Sequence, residues 1–254
     1  MKIRVLGAWG AEGLAQRPSA FLVNDTILVD GGTVGGALSR SEQVVIEHAL
    51  ISHAHLDHIA GLAFLTETLA LCEVPRPLTI SSLDPVVKAL RTTVFNDALW
   101  PDFSQLPTPD KPIVKYRGMV EEVEYPVGNL WVTPVAVNHT VACSGFIVHD
   151  GTSGIVYSGD TGPTEALWKA AGRLKGLQAV ILECAFPNRL GALAAVAKHM
   201  TPALINRELD KLPGDAPVLI YHVKPQFHDE IGEELGRIAG HRISFMEQDK
   251  NYLF

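Results

Sequence analysis

The chain has 254 residues, enough for one large domain or two small ones, and 47% of them are hydrophobic, enough for a sizeable core. Charged residues make up 19% and the formal net charge is −7, with no basic stripe, which argues against a disordered chain and against a nucleic-acid partner. Three cysteines, Cys72, Cys143 and Cys184, form no C-x-x-C pair and so offer neither a disulfide framework nor a zinc ribbon. The first seven residues lack the apolar stretch of a signal peptide and no run is long enough to span a membrane, so the expectation is a soluble, cytoplasmic protein.

In chain order, residues 2–6 read as a short strand stopped at Gly7. Residues 19–23 and 26–30 flank the turn pair Asn24-Asp25 and read as a hairpin that ends at Asp30-Gly31-Gly32. Residues 37–47 are helical or mixed. Residues 49–52 form a short apolar strand that runs into a histidine cluster, and residues 61–71 have helical apolar spacing. The stretch 72–115 is rich in proline, yet residues 86–99 are apolar and helix-like and Trp100 and Phe103 follow. It is therefore expected to be a helical insertion packed on a single domain spanning residues 1–254. Further strands are expected at 121–125, 130–137, 145–148, 155–158, 179–182, 218–221 and 242–246, and helices at 164–174, 190–198, 202–212 and 229–239. Strands and helices mixed in this way predict an α/β (α+β) fold of sheets covered by helices.

Ser52-His53-Ala54-His55-Leu56-Asp57-His58 carries the strongest chemical signal. Four ligand-type side chains follow an apolar strand. His53 and His55, two apart, point to the same side if the segment is extended. Asp57 and His58 come where a turn before the next helix would aim them at a second point. Three more ligand types stand at expected strand ends: His139, Asp160 and His222. Ligands delivered from several strand ends make a rigid site. Imidazole with carboxylate suits zinc, iron or manganese better than calcium. A solvated histidine-rich loop would not be matched by three further ligand types at strand ends.

The pattern H-x-H-x-D-H, then a lone His, a lone Asp and a final His, resembles the metallo-β-lactamase superfamily. That resemblance implies a four-layer αβ/βα sandwich and two divalent transition-metal ions, zinc first, with Mn²⁺ or Fe²⁺ also compatible. It places His53, His55 and His139 on one ion, Asp57, His58 and His222 on the other, and Asp160 between them. It also implies that Asp30 orients a ligand histidine from behind; the alternative is a residue that merely ends a strand. With Asp160 rather than a cysteine at the shared position, the chain is most similar to the class II cyclic nucleotide phosphodiesterases. Leu56, Trp100-Pro101-Asp102-Phe103, Ser144-Gly145-Phe146, Leu182-Glu183-Cys184-Ala185-Phe186 and His222-Val223-Lys224-Pro225 carry that similarity.

The implied activity is hydrolysis of 3′,5′-cyclic nucleotides to 5′-nucleotides, with water activated between the ions. Asp57, Glu183 and His199 are the expected catalytic residues. His199 reads either as the proton donor to the leaving oxygen or as a histidine at a helix C-terminus, and Glu183 as its orienting partner or as half of a structural ion pair. Ser144, Phe146 and Trp100 are expected substrate contacts, with Phe103 and Phe227 further aromatics that read as base-stacking or as core. His48, His149, His228 and His241 read as surface histidines. The implied partner is a small anionic phosphodiester, and a homodimer is left open. Two alternatives remain. One is a nuclease like the tRNA 3′-processing endonucleases, which share motifs resembling Glu183 and His199-Met200-Thr201 but usually carry an arm absent here. The other is a non-hydrolytic di-iron redox or metal-binding protein.

Overall fold

Alternation of apolar residues along the strands decides the architecture of the computed structural model, which describes residues 1–254. The first half runs β1 (Lys2–Gly7), β2 (Ala20–Val23), β3 (Ile27–Gly31), α1 (Arg40–Gln43), β4 (His48–Leu50), α2 (Leu56–Leu71), β5 (Leu78–Leu83), α3 (Asp84–Ala89), a small hairpin of β6 (Pro107–Thr108) and β7 (Lys111–Pro112), and β8 (Val114–Met119). The second runs β9 (Tyr125–Val127), β10 (Leu130–Ala136), β11 (Ser144–His149), β12 (Gly154–Tyr157), α4 (Ala166–Ala171), β13 (Leu177–Glu183), α5 (Gly191–Ala197), α6 (Pro202–Glu208), β14 (Val218–Tyr221), α7 (His228–Leu235), β15 (Ile243–Phe245) and β16 (Asn251–Leu253).

These strands form two seven-stranded sheets, in the orders β16-β1-β2-β3-β4-β5-β8 and β15-β14-β13-β12-β11-β10-β9. Each sheet is buried on both faces. Phe21 and Val23 point into the core between the sheets, with Ile27, Val29, Phe146, Tyr157 and Ile181. Leu22 and Leu28, one residue out of step, meet Ile59, Leu62, Leu65 and Leu69 of α2. Val156, Val180 and Ile220 likewise face outward onto α4, α6 and α7 through Leu167, Ile205 and Ile231. A period of two on doubly covered strands thus yields four layers: helix, sheet, sheet, helix. This is the sandwich expected from the sequence.

The structure corrects several boundaries. The stretch 72–115 is not wholly an insertion, because β5 pairs in parallel with β4 and β8 inside the first sheet. Only residues between β5 and β8 lie outside the sheet, packed on it through Val86, Leu90, Phe95 and Phe103, and the helix expected at 86–99 is short: α3 passes into a wider turn over Leu90–Val94. The helix after the histidine cluster begins at Leu56, not Gly61, so Asp57 and His58 occupy its first turn and no separate turn precedes it. An acidic residue there is favoured by the helix dipole. The strand expected at 121–125 is irregular over 121–124, and Tyr125 instead opens β9.

Candidate metal centre

Strand ends supply the site. His53 and His55 lie in the extended segment after β4, and His55, with φ −70° and ψ 147°, is the residue at which the chain enters α2. His139 follows β10, Asp160 follows β12, Glu183 ends β13, and His222 follows β14 with a left-handed φ of 63°. His199 follows α5 and is held by its N–H to the Ala194 carbonyl at 2.9 Å.

The fold brings all seven sequence-selected ligand types together. Donor atoms of His53, His55, His139 and Asp160 lie within 4.8 Å of one another, as do those of Asp57, His58 and His222. Asp160 stands between the sets: its Oδ1 is 3.3 Å from His58 Nε2, and its Oδ2 is 3.2 Å from His222 Nε2 and 3.7 Å from His53 Nε2.

Four of the five candidate ligand rings are turned from behind. His58 Nδ1 meets Asp30 Oδ2 at 2.8 Å, His53 Nδ1 meets Ser52 Oγ at 3.0 Å, His222 Nδ1 meets Ser19 Oγ at 3.2 Å, and His139 Nδ1 meets the Lys198 carbonyl at 3.3 Å. Their Nε2 atoms are thereby aimed inward, and His139 Nε2 faces His55 Nδ1 across 3.2 Å. Ligating imidazoles typically engage their second nitrogen in this way. Asp30 is fully buried, and its carboxylate also takes the Ser52 N–H at 2.7 Å, the Ser52 hydroxyl at 2.8 Å and the Tyr157 hydroxyl at 2.6 Å.

The inward atoms fit a metal. His53 Nε2, His58 Nε2, His222 Nε2 and Asp160 Oδ1 are buried without a hydrogen-bond partner. An unpaired buried polar atom is costly, and four that converge on one place are satisfied together by cations. Protonation agrees. Burial holds His53, His55 and His222 below the usual histidine range and takes His139 down to about 4, so these rings are neutral donors near pH 7. Burial also opposes charge on His58, but Asp160 and Asp30 override it and raise the ring. Burial likewise works against the Asp160 anion, and His222 and His58 outweigh it, so the carboxylate stays ionised.

Glu183 and His199 form a pair at the edge of this cluster, with His199 Nδ1 on Glu183 Oε1 at 2.8 Å. The His199 ring lies nearly parallel to His222, centroids 5.4 Å apart at 17°, and donor atoms of Asp160, His199 and His222 fall within 4.8 Å of one another. Burial would lower His199, but the Glu183 carboxylate reverses this and raises it, while burial raises Glu183 itself.

Two of the three expected substrate contacts, Phe146 and Ser144, lie inside the fold. Phe146 is fully buried between the sheets, nearly parallel to Tyr157 at 6.5 Å, so it is a core residue. Ser144 is also fully buried, with its N–H on the Ser52 carbonyl at 3.0 Å. Trp100 is half-buried and packs edge-on against Phe64, and Phe103 is buried in the core beneath α2. Strand alternation put Phe146 and Ser144 inside, a consequence of sheet-face geometry that residue type cannot reveal. His149, His228 and His241 are half-exposed and outside the site, whereas His48 has a buried Nδ1 without a partner. Residue-level reading passed over Ser52, Tyr157, Ser19 and Lys224; the last places Nζ 3.8 Å from Asp57 Oδ2. A hydroxyl in the otherwise apolar strand Gly154–Tyr157 was the available sign for Tyr157.

Comparison with known proteins follows this geometry. Residues 26–222 match the family described as the beta-lactamase superfamily domain. A 3′,5′-cyclic-nucleotide phosphodiesterase of Aliivibrio fischeri is 30% identical over 207 residues, 70% of this chain and 59% of that one. The chain spans only 58–59% of the length of two such curated relatives. A ribonuclease Z of Methanosarcina mazei is 24% identical over 282 residues, 91% of this chain and 90% of that one. In structure, unliganded yeast PDE1 superposes with a TM-score of 0.83 at 20% identity, covering 98% of each chain. From the matched family and the four-layer sandwich, the chain belongs to the beta-lactamase superfamily and has the metallo-β-lactamase fold.

Proposed function

We propose that this protein is a dinuclear metal-dependent phosphodiesterase that converts 3′,5′-cyclic nucleotides to 5′-nucleotides. The carrying observation is the His199–Glu183 pair, joined through Nδ1 and Oε1 at 2.8 Å, beside two ligand clusters with Asp160 standing between them. His53, His55 and His139 would hold one ion and Asp57, His58 and His222 the other, with zinc, manganese and iron all suited to these donors. When bound, two divalent ions supply Lewis acidity to the phosphoryl oxygens and acidify water.

The protein's own groups have separate tasks. One P–O bond to water's oxygen forms, with one water proton released to solvent, and the P–O3′ bond breaks, leaving an alkoxide that needs a proton. His199 Nε2 would give it, with Nδ1 fixed by Glu183. Asp160 and Asp57 contribute negative charge that keeps divalent cations in the site. The net charge of −7 supports a substrate with a single phosphate, since a nuclease gains affinity from cations along several phosphates. The name of the Aliivibrio fischeri relative points to the same substrate class.

A ribonuclease Z-like nuclease is the second reading, favoured by the near full-length match to the Methanosarcina mazei protein. Cyclic AMP, cyclic GMP and a tRNA precursor, assayed at equal enzyme and metal, separate the two. Release of 5′-nucleotide with the precursor intact is expected. Cleavage of the precursor alone would transfer the protein to the nuclease reading.

A further inference from the structure

With Phe146 and Phe103 buried in packing, the base of a nucleotide needs another seat. A pocket of about 580 Å³ opens beside the metal centre and includes the candidate ligand Asp57 in its wall. That volume is ordinary for a small-ligand site, roughly 300–1,000 Å³. Two parts of its lining differ sharply in character. One is apolar: Leu56 and Phe64, 71% and 59% exposed, project from α2, and Trp100 braces Phe64 edge-on at 5.4 Å. Large apolar side chains left open to solvent beside a site call for an occupant.

The other part of the lining is the glycine-rich segment 32–36, Gly32-Thr33-Val34-Gly35-Gly36, which packs against α2 at Gly61. Val34 is buried away from solvent. Gly32 brings this floor against the ligand-bearing turn, because a Cβ there would lie 2.0 Å from the Asp57 carbonyl oxygen. Gly35 has no such duty. A Cβ on it meets nothing nearer than Gln43 Nε2 at 3.9 Å, so a side chain would enter open space. Glu12 adds one carboxylate to the lining.

We propose that this pocket is the base subsite, in which a planar nucleobase lies against Phe64 and Leu56 beside the peptide floor of residues 32–36. Glu12 is the acceptor for an exocyclic amine or ring N–H. The inference rests on the phosphodiesterase reading above. An apolar surface from Phe64 and Leu56 beside glycine-rich peptide fits a heteroaromatic ring, and the Asp57 end of the pocket keeps the phosphate at the metal centre.

The test uses the full-length, metal-loaded protein with cyclic AMP and with the same cyclic ribose phosphate lacking its base. Phe64→Ala and Gly35→Leu are each expected to lower the ratio of kcat/KM for the two substrates, base-bearing over abasic, by on the order of tenfold, mainly through KM. Binding of 5′-AMP, measured calorimetrically, should weaken by a similar factor. Phe64→Tyr, which keeps the ring, should restore the ratio. Unchanged ratios and unchanged 5′-AMP affinity in an active, folded enzyme overturn the subsite alone. A wild-type protein inert toward every cyclic nucleotide overturns the phosphodiesterase reading and the subsite with it.

Discussion

Asp30 accepts the Nδ1–H of His58 at 2.8 Å and so turns His58 Nε2 toward Asp160, 3.3 Å away. The same carboxylate receives three other donors, from Ser52 and Tyr157, and therefore has little freedom to move. Asp30→Asn keeps the shape and tolerates the left-handed φ of 52°, which asparagine adopts readily. It replaces an acceptor oxygen with a donor facing donors. The expected result is a folded protein whose metal affinity falls about 10–100-fold. Competition with a chromophoric chelator measures this, and unchanged affinity for every ion would remove Asp30 from its orienting role.

Asp160→Ala should harm the enzyme more than His199→Ala. Asp160 lies within 3.7 Å of three histidine Nε2 atoms, so its loss leaves two sets of ligands without their shared anion. Elemental analysis should show reduced metal content. His199→Ala removes a proton donor and is expected to cost about 10²–10⁴-fold in turnover with metal retained. A more defective His199 variant at saturating metal would reverse the assignment.

Gly32→Ala tests how closely the floor loop is locked to α2. A methyl group would sit 2.0 Å from the Asp57 carbonyl and 2.8 Å from Pro18 Cβ, and backbone cannot yield as a flexible side chain would. Overpacking of this kind costs about 1–3 kcal/mol. The denaturation midpoint should fall accordingly, together with affinity for metal. A midpoint equal to wild type would show that the turn bearing Asp57 is compliant.

His48 makes stability depend on pH away from the metal centre. Burial lowers its pKa from 6.5, against the pull of Glu47. The folded protein thus keeps this ring neutral where the unfolded chain would protonate it. Its contribution is fully present above pH 6.5 and is lost as pH falls below that value. Glu42, taken down to about 2 by its Ser39 hydrogen bonds, acts only in a lower, carboxylate window. Thermal melts of metal-free protein should show His48→Gln losing less stability than wild type between pH 7 and pH 5. Parallel losses would exclude His48 as the source.

The seven side chains that the fold gathers were legible residue by residue. His53, His55, Asp57, His58, His139, Asp160 and His222 stand out in the sequence because metal-donor types are few and apolar runs mark the strand ends. The hairpin of β2 and β3 and the strand β14 were equally plain from alternation and turn residues. The strand β5 was hidden by the prolines around it, and the early start of α2 by histidines that read as a loop.

Chemistry and approximate layers were therefore determined by the sequence itself, since ligand types and strand periodicity are local properties. Which side chain faces which layer was decided only by tertiary structure. A one-residue shift on a strand carries a side chain from one face to the other. This places Phe146 in the core and lets Tyr157 reach Asp30 across 127 positions of chain. The pocket between α2 and residues 32–36 likewise exists only once the loop and the helix close together, because its walls come from segments that no local pattern connects.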